Sequence, residues 1–171
     1  RNLISNYLIK LLILIIVFTS CKSKHSSPTG SHPTTTNPLS PAQSLKLFDL
    51  AEGYHIELVA SEPLIKDPVA MAWDANGDIY VAQMNTFMLD LHATNQHKPY
   101  SQIIKLTDSD RDGIMDKSTV FADSLLLPRV ILPLGEEILV QITDTQHIFA
   151  YRDTDLDGRA DTRRIIFENH T

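Results

Sequence analysis

The sequence predicts an all-β chain, an incomplete β-propeller of about two to three blades after a signal segment and a disordered tether. Three observations carry that expectation. Beyond residue 54 the chain is a series of short runs rich in Val, Ile, Tyr and Phe, several alternating with period two: "HIELVA", "VAMAWD", "DIYVAQM", "QIIKLTD", "STVFAD", "EILVQIT", "HIFAYRD" and "RRIIFEN". Turn signals separate them, the strongest being Asn76-Gly77 between two apolar runs, where both positions tolerate a positive φ. A stretch also recurs after 45 residues, "IIKLTDSDRDGIMDKSTVFADSL" and then "IFAYRDTDLDGRADTRRIIFENH", each reading as strand, aspartate turn, strand. Two to three blades cannot close a ring, so open strand edges are expected.

Residues 1–21 read as a lipoprotein signal peptide. Arg1 and Lys10 precede an apolar run from Leu11 to Phe18, too short for a bilayer core that takes about 20 apolar residues. The run ends in "FTSC", similar to a lipobox, in which the cysteine is acylated and becomes the new N-terminus. Cys21 is the single cysteine, so no internal disulfide can form, and lipidation accounts for an exported lone thiol. The competing reading is a short membrane anchor with an incidental cysteine. Residues 22–39 are Ser, Thr, Pro and Lys with little to bury and read as a disordered tether. A chain whose first residue is Arg1 also reads as a piece of a longer one. Residues 40–171 read as the N-terminal blades of a propeller truncated at its C-terminus, opening with a short helix or turn that Ser40 caps and Pro41 begins.

Charge separates these parts. The chain carries −6 overall, but all 21 acidic residues lie from Asp49 onward, where they face only ten Lys and Arg, a net of −11. Such a body repels phosphates and argues against a nucleic-acid partner.

The aspartates have a pattern that solvation alone does not need. In "DSDRDGIMD", Asp108, Asp110, Asp112 and Asp116 offer carboxylates and Ile114 a backbone carbonyl; in "DTDLDGRAD", Asp153, Asp155, Asp157 and Asp161 do so with the carbonyl of Arg159. Oxygen ligands at alternate positions followed by Gly converge on a hard cation, so both loops are candidate Ca²⁺ sites. Close carboxylates repel by about 1 kcal/mol per pair even in water, a cost that a divalent cation reverses. Position 12 of an EF-hand loop is a bidentate Glu; here it is Thr119 or Arg164, and no helices flank the loops. The expectation is a brace between strands, of affinity about 10⁻⁴ to 10⁻³ M. The alternative is a solvated Asp-Gly turn without an ion.

The strings "LSPAQSLKLFDLAEGYHIELVASEPLIKDPVAMAWDANGDIYVAQM", "STVFADSLLLPRVILPL" and "YRDTDLDGRADTRRIIF" resemble the start of a membrane-bound dehydrogenase family of exported bacterial proteins. The resemblance covers residues 40–171 and implies a propeller similar to the glucose and sorbosone dehydrogenase domain. In many members helical repeats and a c-type haem domain follow. It also implies a possible pyrroloquinoline quinone with Ca²⁺ beside it, oxidation of a sugar or polyol, and a periplasmic or cell-surface location. No catalytic or quinone-binding residue carries over. Members often have Glu where this chain has Gln83, and the haem signature CxxCH does not occur here.

His55, His92, His97 and His147 read as surface or hydrogen-bonded residues. Trp73, Phe121, Phe149 and Tyr151 read as core, and Arg129 as a cation in an apolar loop in need of a partner. The sequence lacks GxSxG, HExxH, GxGxxG and a phosphate-cradling glycine loop. Two functions remain: a lipid-anchored dehydrogenase-like propeller, or a calcium-braced propeller that only binds glycan or protein.

Overall fold

The computed structural model describes residues 37–143 and 145–168; the signal segment, Cys21 and the tether to residue 36 lie outside them. Helix α1, Pro41–Leu45, is the expected short one. Ser40 is extended, its hydroxyl accepts from the Gln43 N–H, and the Gln43 side chain accepts from the Ser40 N–H, a reciprocal capping box. Among the described residues no helix is long and apolar enough to cross a membrane.

The rest is all-β. Strands β1 (Pro68–Trp73), β2 (Ile79–Gln83), β3 (Ser101–Thr107) and β4 (Lys117–Leu125) form one antiparallel sheet in sequence order. Strands β5 (Val130–Leu134), β6 (Glu137–Gln141), β7 (Ile148–Arg152) and β8 (Thr162–Phe167) form a second with the same order. Both sheets are open, and they meet through their first strands, β1 and β2 against β5. Between them lies a core of Tyr80, Ile103, Phe121 and Leu125 from the first sheet and Ile138, Val140, Phe149 and Tyr151 from the second. Ala70, Ala72 and Ala82 keep β1 and β2 low on this face, so the bulk of the second sheet can approach.

Strand alternation places the repeat in space. Ile104 and Leu106 of β3 face away from the second sheet, in a cluster with Ile79, Val81 and Met115 that Ala60, Leu64 and Ile65 cover. Phe149 and Tyr151, 45 residues further on, face the first sheet. Each sheet therefore presents the same face backwards along the chain, and the second sheet stands one step on from the first.

Three expectations need correction. "HIELVA" forms no strand, because the segment lies across a face of the first sheet and joins it through side chains and one backbone bond, Met115 N–H to the Val59 carbonyl (2.9 Å). The stretch read as an apolar loop around Arg129 contains β5, where Pro133 sits in the sheet's edge strand and costs no ladder bond on the open side. Asn76-Gly77 does stand in a hairpin, but in the longer loop 74–78: Asp74 Oδ1 accepts from the N–H groups of Asn76 and Asp78, and of the pair only Gly77 has a positive φ, +91°. The two-residue hairpin is at Gly135-Glu136, with Gly135 (φ +61°) first, the position a type II′ turn reserves for it.

The aromatic residues divide. Phe121, Phe149 and Tyr151 are buried as expected, and Tyr80 meets Phe121 edge-on with ring centroids 5.0 Å apart. Trp73 is 57% exposed on the outer side of β1. Arg129 is exposed where the chain enters β5, so water rather than an acidic partner solvates its charge.

Candidate metal centres

Both aspartate loops join the third and fourth strands of a sheet and are built alike. Each has two residues of positive φ at matching places, Arg111 (+65°) and Gly113 (+93°) in the first, Leu156 (+63°) and Gly158 (+92°) in the second. Each closes with a backbone bond, Asp116 N–H to the Thr107 carbonyl (3.2 Å) and Asp161 N–H to the Arg152 carbonyl (3.0 Å). The glycines are needed there, since a β-carbon in left-handed backbone costs about 1–2 kcal/mol.

Within the turns the carboxylates organise the backbone. Asp108 accepts the N–H groups of Arg111 (2.6 Å), Asp112 (3.2 Å) and Gly113 (2.8 Å). The Gly113 N–H above all, against the opposing effect of desolvation, holds the Asp108 carboxyl below the usual carboxylate range. In the second loop Asp153 accepts from Gly158 (2.8 Å) and Asp157 from Arg159 (2.7 Å). Asp161 accepts from the hydroxyl and N–H of Thr154, and the hydroxyl foremost lowers its pKa. Asp116 repeats this arrangement with Ser109.

Not all eight aspartates converge equally. Oxygens of Asp108, Asp110 and Asp112 lie within 4.8 Å of one another, as do those of Asp153, Asp155 and Asp161. Asp116 does not belong to the first group, nor Asp157 to the second. Three carboxylates at that separation suit a hard cation, which takes six to eight oxygens and completes its shell with carbonyls and water. The second loop has a further mark: Asp153 Oδ1 is buried and has no hydrogen-bond partner. A carboxylate oxygen in that condition costs energy until something positive meets it. The donor set therefore fits Ca²⁺. The would-be twelfth ligands belong to the strands: Thr119 lies on β4, and Arg164 on β8 makes a two-pronged contact with Glu137 (3.1 and 2.7 Å).

The loops differ in what they lean on. Ala160 N–H donates to the Phe121 carbonyl of β4 (2.8 Å), Arg159 meets Asp123 of the same strand (3.1 Å), and Gly158 lies against Thr119. The first loop leans instead on the segment around Val59, through Met115.

Among the described residues the histidines do not gather into a site. His55 and Glu57 form an exposed contact (3.2 Å), His92 and His97 are exposed in the 84–100 connection, and the half-buried His147 packs edge-on to Phe149. Sequence reasoning missed a half-buried ion pair, Lys105 Nζ to Asp78 Oδ2 at 2.8 Å, whose partners lie 27 residues apart in sequence. It also missed a group of amide side chains at Gln83, Asn85 and Gln102.

The molecule is thus an all-β repeat protein, two four-stranded antiparallel sheets each carrying one DxDxDG loop. Residues 40–171 match a sequence family described as a domain of unknown function, DUF7133, and the chain belongs to that family. No curated protein and no solved structure matches it significantly.

Proposed function

We propose that the folded region is two successive blades of a β-propeller braced by Ca²⁺ in both aspartate loops. The observation that carries this reading is the shared step between sheets: Ala160 N–H meets β4 of the preceding sheet where the equivalent Met115 N–H meets the Val59 segment. A blade would take the place that this segment fills for the first sheet. Calorimetry of the chain in Ca²⁺ and in chelator is the test. A Ca²⁺-dependent rise in Tm, reduced by Asp110→Ala and by Asp155→Ala, supports the brace; identical melts in both conditions rule it out.

The activity we propose is oxidation of a sugar or polyol by an exported lipoprotein anchored through Cys21, with electrons passed to a haem domain outside this chain. The family resemblance over residues 40–171 supports it. Quinone chemistry would supply the two-electron acceptor, and a tricarboxylate such as pyrroloquinoline quinone needs a cluster of cations. Among the described residues Arg152, Arg159 and Arg164 are each paired, with Glu136, Asp123 and Glu137, and Lys105 is paired with Asp78. These four cations are committed to carboxylates, and no catalytic step is assigned to the described residues. With no catalytic residue assigned, the second reading is a calcium-braced surface propeller that binds glycan or protein without turnover. Dye reduction by D-glucose or D-sorbitol, after loading with quinone and Ca²⁺, separates the two: reduction supports the enzyme, and binding without reduction supports the second reading.

A further inference from the structure

The face of the first sheet that bears Ile79, Val81, Ile104 and Leu106 is apolar until its end, where two amides replace the aliphatic residues. Gln83 and Gln102 are register partners on β2 and β3, and the Gln102 amide donates to Gln83 Oε1 at 2.9 Å. Gln83 is only 2% exposed. Beside them is a cavity of about 370 Å³, bounded by Pro63, Leu64 and Ile65 and lined by Lys66, Gln83, Asn85, Gln102 and Ser118.

Amides in such a place are costly. Burial of an unpaired polar group costs about 1–3 kcal/mol, and leucine at the same positions would continue the apolar face. The Gln83–Gln102 contact uses one group of each, leaving the Gln83 amide N–H groups and the Gln102 carbonyl for another partner. Asn85 donates to the Tyr100 carbonyl (3.1 Å), but its own Oδ1 is buried with no hydrogen-bond partner. Ser118 gives its proton to the Leu64 carbonyl (2.8 Å), so its oxygen is left as an acceptor. The lining thus offers donors and acceptors side by side, no carboxylate, no aromatic ring and one cation.

That chemistry selects a ligand class. A metal ion lacks a carboxylate here, a nucleobase lacks a ring to stack on, and an anion finds one lysine on a body of strongly negative charge. Adjacent hydroxyls both donate and accept, as this lining requires, and the volume suits one small ring or open chain. We propose that this cavity binds a neutral vicinal diol of monosaccharide size. The inference rests on the carbohydrate reading above and assigns it a site.

The test is a titration of the ¹⁵N-labelled chain with D-glucose and D-sorbitol, following side-chain amide resonances, with 1,5-pentanediol as a control without vicinal hydroxyls. The expected result is movement of the Gln83, Asn85 and Gln102 signals with a Kd on the order of 1 mM, and little movement with the control. Loss of one such hydrogen bond weakens binding roughly tenfold, so Asn85→Ala and Gln102→Leu should each do so while the backbone spectrum shows an intact fold. Unmoved resonances with both sugars, or undiminished affinity in both folded variants, overturn the assignment. Dye reduction in the quinone-loaded protein tests the carbohydrate reading separately. Oxidation of a sugar that leaves these three signals unmoved overturns the cavity and spares that reading.

Discussion

The two aspartate loops are the same turn docked against two different supports. Their sequences, left-handed positions and closing bonds correspond one for one. The second loop nevertheless rests on a paired strand of a neighbouring sheet, through Phe121, Thr119 and Asp123, while the first rests on a segment that pairs through a single backbone bond at Val59. The loop is thus a module whose internal geometry is local, and its attachment depends on what stands one step earlier in the chain.

The anchoring side chains show how each support was matched. Met115, 7% exposed, fills the space beneath the thin Val59 segment, and the equivalent Ala160 is small because β4 is already close. Met115→Ala should cost about 2–5 kcal/mol, the range for truncating a buried methionine. Ala160→Met should cost about 1–3 kcal/mol by overpacking. Urea denaturation of both variants checks this, and equal tolerance of Met at both positions would break the contrast.

The glycines sharpen it next. Gly113 and Gly158 share a φ, so alanine pays the left-handed penalty of about 1–2 kcal/mol at both. At Gly113 a new β-carbon meets nothing within 4 Å, but at Gly158 it would lie 3.2 Å from Thr119 Cγ2, on a β-branched side chain with little freedom to move. Gly158→Ala should therefore be worse than Gly113→Ala by about 1 kcal/mol, the scale of a modest overpacking. Thr119→Ser removes that methyl and should erase the difference, a thermal melt of the double variant being the measurement.

These contrasts show what the sequence made legible. Alternating Asp and a following Gly is a local signal, so the loops, their spacing and the strands on either side could be read directly. Strand β5 was hidden because Pro128 precedes it and Pro133 lies within it, and only the pairing of Val130–Leu134 with Glu137–Gln141 reveals an edge that tolerates proline. "HIELVA" has strand composition, yet whether it joins a ladder depends on partners far along the chain. The Asn76-Gly77 signal was diverted by Asp74, whose carboxylate takes two backbone N–H groups of the turn. Gln83, Asn85 and Gln102 carry no motif because residues 84–100 intervene and only the β2–β3 register brings the two glutamines together.

Calcium should register in the comparison on a similar scale. For a site with Kd on the order of 1 mM, 10 mM Ca²⁺ stabilises the folded state by about 1.4 kcal/mol. Asp153→Asn should lose most of that increment for its loop and, by removing charge from the oxygen that has no partner, cost little in chelator. Asp108→Asn should be harmful in chelator too, because that carboxylate holds three backbone N–H groups. Calorimetry in Ca²⁺ and in chelator distinguishes them, and identical behaviour of the two variants would mean that the loops do not differ in preorganisation.

The smallest difference concerns charge. Arg159 reaches Asp123 across the junction between sheets, and the equivalent place in the first loop is Ile114, exposed and uncharged. Both partners of the pair are 55% exposed, so water screens them and a double-mutant cycle with Arg159→Ala and Asp123→Ala should give a coupling of only about 0.2–1 kcal/mol. That coupling should shrink in 1 M salt, where the Debye length falls to about 3 Å. Ile114→Arg should change stability by no more than about 0.5 kcal/mol, the usual scale for a substitution at an exposed position. A coupling well above 1 kcal/mol, insensitive to salt, would make the ion pair a principal part of the second loop's attachment. The backbone bond to Phe121 and the packing at Thr119 would then have to be demoted accordingly.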